Sequence, residues 1–217
     1  MGDLYLKPQR GVGKELRGLS PNIFAQAALA ELAVGGVSEG FGFIDDFLAF
    51  DDASTRWLLT QASAGTAACD VAAKGGVLLL DSASSTNNQG AQIQMGGAVA
   101  AASFIPNANA KIYYEARIKL ADIGSTTVQA FAGLSEIDST LFASAANSSA
   151  NHVGFEVINT TAMGIHSEKA GSRSSTAAVH TVVDDTYVKV GFVIDGLTKI
   201  TPYVNGVAKT AITTNIP

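Results

Sequence analysis

The chain has 217 residues, a net charge of −5 and only 15% charged residues, against about 25% in average proteins. That length suits one large all-β domain with an extension better than two small domains, and it lets roughly 70% of the unfolded surface be buried. The negative balance excludes general nucleic-acid binding, which needs a basic face. The single cysteine, Cys69, excludes an internal disulfide.

The N-terminus, Met1 to Pro8, lacks the apolar core of a signal peptide, and Leu6 stands where a myristoylation signal needs Ser or Thr. The apolar run Ile23 to Val34 is interrupted by Gln26 and Glu31 and is too short to span a bilayer. A soluble protein made in the cytoplasm, with no membrane partner, is expected. Residues 1–43 are glycine-rich and show no sustained strand pattern. In residues 1–20, Lys7, Arg10, Lys14 and Arg17 outweigh Asp3 and Glu15, while residues 21–217 hold ten basic and seventeen acidic groups. This asymmetry predicts an arm that lies on an acidic surface, its own body or a partner's; the alternative is a disordered tail. Within the arm a short helix is predicted over 21–34. Ser20 is its N-cap, Pro21 its first residue and Gly35 its stop. Ile23, Phe24, Ala27, Ala28 and Leu32 form its apolar face, which must dock on something because so short a helix is marginal alone.

The body is expected over 44–217. Asp45-Asp46-Phe47 and Trp57 bracket a first strand region, and Gly75-Gly76 turns into a buried strand, Val77 to Asp81. Gln92 to Met95 alternates briefly. From Ile112 to Leu120 apolar residues take every second position, with Tyr113, Glu115, Arg117 and Lys119 on the other parity, which marks a strand with one buried and one wet face. Val128 to Leu134 is expected as its antiparallel neighbour. Ser135 to Ala150 reads as a surface excursion. His152 to Val157 and Gly164 to Glu168 form a hairpin, and a loop over Ala170 to Thr176 leads to Val179 to Val182. Tyr187 to Asp195 alternates strictly, Lys199 to Val204 follows, and Asn205-Gly206 is a strong hairpin turn before a return strand, Val207 to Ile212. About a dozen strands at this spacing predict an antiparallel β-sandwich.

The order of Asp45-Asp46-Phe47, Trp57, Gly75-Gly76, Tyr113-Tyr114-Glu115-Ala116-Arg117, Phe131-Ala132-Gly133-Leu134, His152-Val153-Gly154-Phe155 and Tyr203-Val204-Asn205-Gly206 resembles the concanavalin A-like lectin/glucanase jelly roll. More narrowly, the chain resembles the form of that fold found in structural proteins of tailed bacteriophages. The resemblance implies a jelly-roll body and a place in the virion, on the outer capsid surface. It also implies a closing strand beyond Asn215-Ile216-Pro217, in whose place a neighbouring subunit or the arm would cover the sheet edge.

Glu136-Ile137-Asp138-Ser139-Thr140 approaches the Glu-x-Asp-x-Glu of jelly-roll endoglucanases, but Thr140 stands where the acid/base is needed, and retaining hydrolysis needs two carboxyl groups. No catalytic residue is therefore assigned. Asp45-Asp46 and Asp51-Asp52 read as turn and strand-edge acids, since Ca²⁺ ligand spacing is lacking. His152, His166 and His180 lie on separate strands and read as polar-face histidines, so no metal and no cofactor are assigned. Cys69 reads as a packed thiol. Tyr113 and Phe142 are candidates for an aromatic sugar platform or for a protein interface. The leading expectation is a non-enzymatic capsid decoration or cement protein. Its arm residues Arg10, Lys14, Arg17, Ile23, Phe24 and Leu32 would bind the major capsid protein, and neighbouring copies would form homo-oligomers. The alternative is a lectin-like module that binds surface glycans.

Overall fold

A computed structural model describes residues 20–24, 42–51, 56–62, 65–73, 75–82, 90–95, 104–123, 128–138, 142–143, 146–147 and 150–217. Within them, a one-turn helix α1 (Pro21–Phe24) precedes β1 (Trp57–Ala62), β2 (Thr66–Cys69), β3 (Leu78–Asp81) and β4 (Gly90–Met95). Next come β5 (Lys111–Ile118), β6 (Gln129–Ser135) and the two-residue β7 (Phe142–Ala143) and β8 (Ala146–Asn147). The chain continues through β9 (His152–Ile158), β10 (Ala162–Lys169), β11 (Ser172–Thr181), β12 (Val188–Asp195), β13 (Lys199–Val204) and β14 (Val207–Ala208). All pairings are antiparallel, and α1 is the only helix among the described residues, so the chain is all-β.

Two four-stranded sheets, β14-β13-β12-β5 and β11-β10-β9-β6, contribute to one apolar cluster. Strand alternation assigns each residue to a face. On β12, Val188, Val190, Phe192 and Ile194 point into the core, as their parity predicts. On β9 and β10 the same role falls to Val153, Phe155, Val157, Met163 and Ile165. Phe155 and Phe192, from different sheets, lie 6.4 Å apart, and Tyr114 stacks on Phe192 at 4.9 Å. Burial drives the Tyr114 phenol far above its ordinary pKa, so it stays neutral.

The Asn205-Gly206 turn forms as expected, with φ of 49° and 77°, both in the left-handed region that a type I′ turn requires. Beyond it, Ile212 bridges to Ile200, Ile216 enters the core and the Asn215 carbonyl accepts the Ser167 hydroxyl at 2.6 Å. The last residues thus tie one sheet to the other.

Several expectations change. β5 and β6 are not neighbours: β5 pairs with β12 and β6 with β9, in registers that set Tyr114 beside Phe192 and Ala132 beside Phe155 and so join apolar faces. Residues 172–176 are not a loop but the first half of β11, which Ala170-Gly171 joins to β10 in a tight turn. Its Ser and Thr residues carry no apolar signal because that face is wet. β3 is not buried: Leu79 and Leu80 are exposed, and among the described residues its sheet has only β2 beside it. The return strand shortens to β14 plus the Ile212 bridge, and the Ser135–Ala150 excursion contains the β7–β8 hairpin. Of the helix expected over 21–34, Pro21–Phe24 is present, and residues 25–34 lie outside the described residues.

Candidate functional site

The outer face of the β5–β12–β13 sheet carries Glu115, Lys189 and Gly191. Parity assigns these charged residues to solvent, yet the Lys189 and Glu115 side chains are only 7% and 5% exposed. Lys189 Nζ lies 2.8 Å from Glu115 Oε1. What covers the pair is the start of the helix. The Ser20 amide donates to both Glu115 oxygens, at 3.1 and 3.2 Å, and Lys189 Nζ donates to Ser20 Oγ at 3.0 Å. Ser20 also begins the helix as expected, its carbonyl accepting the Ile23 and Phe24 amides. Its hydroxyl, however, serves Lys189.

Gly191 completes the slot. A Cβ there would stand 2.5 Å from Ile23 Cδ1, so the missing side chain makes the notch that Ile23, 3% exposed, occupies. Phe24 packs on Tyr113 with ring centroids 5.8 Å apart, and Asn22 Nδ2 donates to the Gly206 carbonyl at 2.7 Å. The hairpin turn is itself tied to Lys189, whose amide donates to Asn205 Oδ1 at 3.0 Å. Five residues are thereby held by two strands and a turn.

The outer face of the β9–β10 sheet holds a second polar group. Glu156 Oε1 accepts from His166 Nε2 at 2.5 Å and lies 3.6 Å from Arg173, which also binds Glu168 at 3.1 Å. A carbonyl can only accept, so His152 donates from Nδ1 to Ala150 at 2.8 Å. Among the described residues that leaves His152 Nε2 buried without a hydrogen-bond partner, as is His166 Nδ1. Where β10 and β11 slip register beside Ala178 (φ 52°), a cavity of about 260 Å³ opens, floored by Glu156 and His166 and walled by Ile158, Ala162 and Ala177.

Burial pushes the His152 imidazole below the ordinary histidine range, opposed by the Ala150 carbonyl and by Glu168; His180 is lowered by burial and by Lys209. Their unfolded forms therefore bind protons that the folded forms resist. Stability is expected to fall as pH drops through the ordinary histidine range, and to level off below the folded pKa values. Denaturant midpoints at about pH 7.5 and about pH 5.5 check this, with a smaller difference expected for His152→Gln. An unchanged difference would acquit His152.

The sequence-derived candidates are dispersed. Ile23, Phe24 and Tyr113 come together in the slot, whereas Arg10, Lys14, Arg17 and Leu32 lie outside the described residues. Phe142 belongs to β7, which pairs with β8 in a sheet separate from that of Tyr113. Glu136 lies after β6 and caps Asn151, accepting its amide and side chain at 3.2 and 2.7 Å. Asp45 accepts the Trp57 indole and the Phe47 amide, each at 2.8 Å, as a turn acid does, and Cys69 Sγ contacts the Phe47 carbonyl. Among the described residues no group of three or more His, Cys, Asp or Glu could hold a metal ion, and no helix is long and apolar enough to cross a membrane. Sequence reasoning misses Glu115 and Lys189, which alternation assigns to water; the one signal is a glycine, Gly191, inside a strand. Set against protein-family models, curated proteins and solved structures, the chain has no match.

Proposed function

We propose that the protein is a non-enzymatic structural protein of a bacteriophage virion. In this reading a concanavalin A-like jelly-roll sandwich sits on the outer capsid as a decoration or cement protein. The observation that carries the reading is the anchoring of Ser20–Phe24 on the sheet by a buried ion pair, four hydrogen bonds and the Gly191 notch. A segment used to grip a partner needs a rigid mount, and here the mount stands immediately after a basic stretch. Arg10, Lys14 and Arg17 belong to that stretch and are suited to acidic groups of a major capsid protein. Ile23 and Phe24, expected to fill a partner's groove, fill the chain's own slot, so the grip falls to residues 1–19. Many weak grips on one shell add through multivalency. The non-enzymatic part is supported by Glu136, the first carboxylate of the endoglucanase-like run, which is engaged in holding Asn151.

A second reading, a glycan-binding module, is favoured by the cavity beside Glu156 and His166. One experiment separates the two. The chain lacking residues 1–19 keeps its anchor and is expected to melt like the full chain while losing co-sedimentation with capsids. Undiminished co-sedimentation would overturn the cement reading, and if a polysaccharide then displaced the chain, the glycan reading would take its place.

A further inference from the structure

The Ser20–Phe24 slot is built like a recognition site for a peptide. Its floor is a charge pair more than nine-tenths buried, its notch admits one isoleucine methyl, and its rim offers one carbonyl to one asparagine. Buried charges of this kind add little net stability but penalise every wrong register, because a misplaced segment leaves Glu115 and Lys189 covered and unsatisfied. The slot also lies over β5, an eight-residue strand at the edge of its sheet among the described residues.

Seventeen residues, 25–41, join Phe24 to the body that resumes at residue 42. Fully extended, that length reaches about 60 Å, while a body of this size is roughly 40 Å across. The linker is therefore long enough to deliver the five residues to the same slot on an adjacent molecule, where they would make identical contacts.

We propose that this slot receives Ser20–Phe24 of a second copy, so that neighbouring molecules exchange their N-terminal segments. Exchange of an identical element is a low-cost route to assembly, since each bond broken in one chain is remade in another. It would give each molecule a directional, sequence-specific link to its neighbour across the β5 edge. This rests on the homo-oligomeric reading of the function above.

The test uses the full chain with Cys69→Ser, which removes its single cysteine. One preparation then carries Phe24→Cys and another, with an affinity tag, carries Tyr113→Cys. The two are unfolded, refolded together and treated with a short bismaleimide, and the mass in solution is recorded by light scattering. A covalent 24–113 link joining a tagged to an untagged chain is expected, falling at least tenfold when Ile23→Asp is added to the untagged partner. Asn22→Cys with Val207→Cys, both at the exposed rim, repeats the test without touching the Phe24–Tyr113 contact. The exchange is overturned if the mixtures give no interchain link while chains carrying both cysteines link internally. Light scattering then decides what else fails: a multimer with internal links leaves the oligomeric reading standing, and a monomer removes that reading too.

Discussion

Lys189→Met is expected to destabilise the protein by about 3–5 kcal/mol, the cost of stranding a buried charge without its partner. For a chain of this size that is a fall in Tm of about 6–20 °C. The loss arises at Glu115. Its side chain is 5% exposed, and with Lys189 gone the Ser20 amide would be its remaining donor among the described residues. The Ser20 hydroxyl would lose its donor as well. Adding Glu115→Gln should recover more than half of the loss, because a neutral amide oxygen still accepts from Ser20 and no net charge remains buried. Thermal and urea unfolding of the two single variants and the double variant check this as a double-mutant cycle. Additive losses would mean that the two side chains act independently, against the 2.8 Å contact. Trypsin offers a second readout, as cleavage after Arg17 should quicken in Lys189→Met, where the anchor loosens.

Phe192→Ala is expected to cost about 3–5 kcal/mol, by removing a fully buried ring and leaving a cavity between the sheets. Phe192 is 0% exposed, stacks on Tyr114 within its own sheet and faces Phe155 of the other. The ring thus joins three strands from both halves of the core. If the sheets form one sandwich, urea unfolding followed by near- and far-ultraviolet circular dichroism should remain a single coincident transition at a lower midpoint. Two separated transitions would show instead that each sheet has its own core. Phe155→Ala should behave alike, and the double variant should lose less than the sum, because the second truncation opens onto the same cavity.

The long alternating strands are legible in the order of residues alone. Val188 to Ile194, Ile200 to Val204 and the Asn205-Gly206 turn stand where parity and turn chemistry place them, with the apolar parity buried. Local pattern suffices there because each strand has one apolar face and each turn has the residues its dihedrals need. The early strands are less legible: β2 and β3 bury little, so their exposure does not follow their sequence. The first half of β11 reads as a loop because Ser172 to Thr176 has no apolar periodicity to betray a strand whose bonds are made by the backbone.

The functional surfaces are much harder to read. Tyr113 stands out as an aromatic on the wet face, but its partner Phe24 lies far earlier in the chain. Ser20 reads as a helix cap, though nothing local indicates that its hydroxyl meets Lys189, 169 residues away. The composition, the strand periods, the I′ turn and the charge asymmetry of the N-terminal segment follow from the order of residues, since each depends on neighbours a few positions apart. Which strands pair, which charged residues are buried and where the helix docks were decided only by the tertiary structure. Those outcomes depend on what else covers a given face, and a two-residue period divides a strand into two sides without saying which side remains in water.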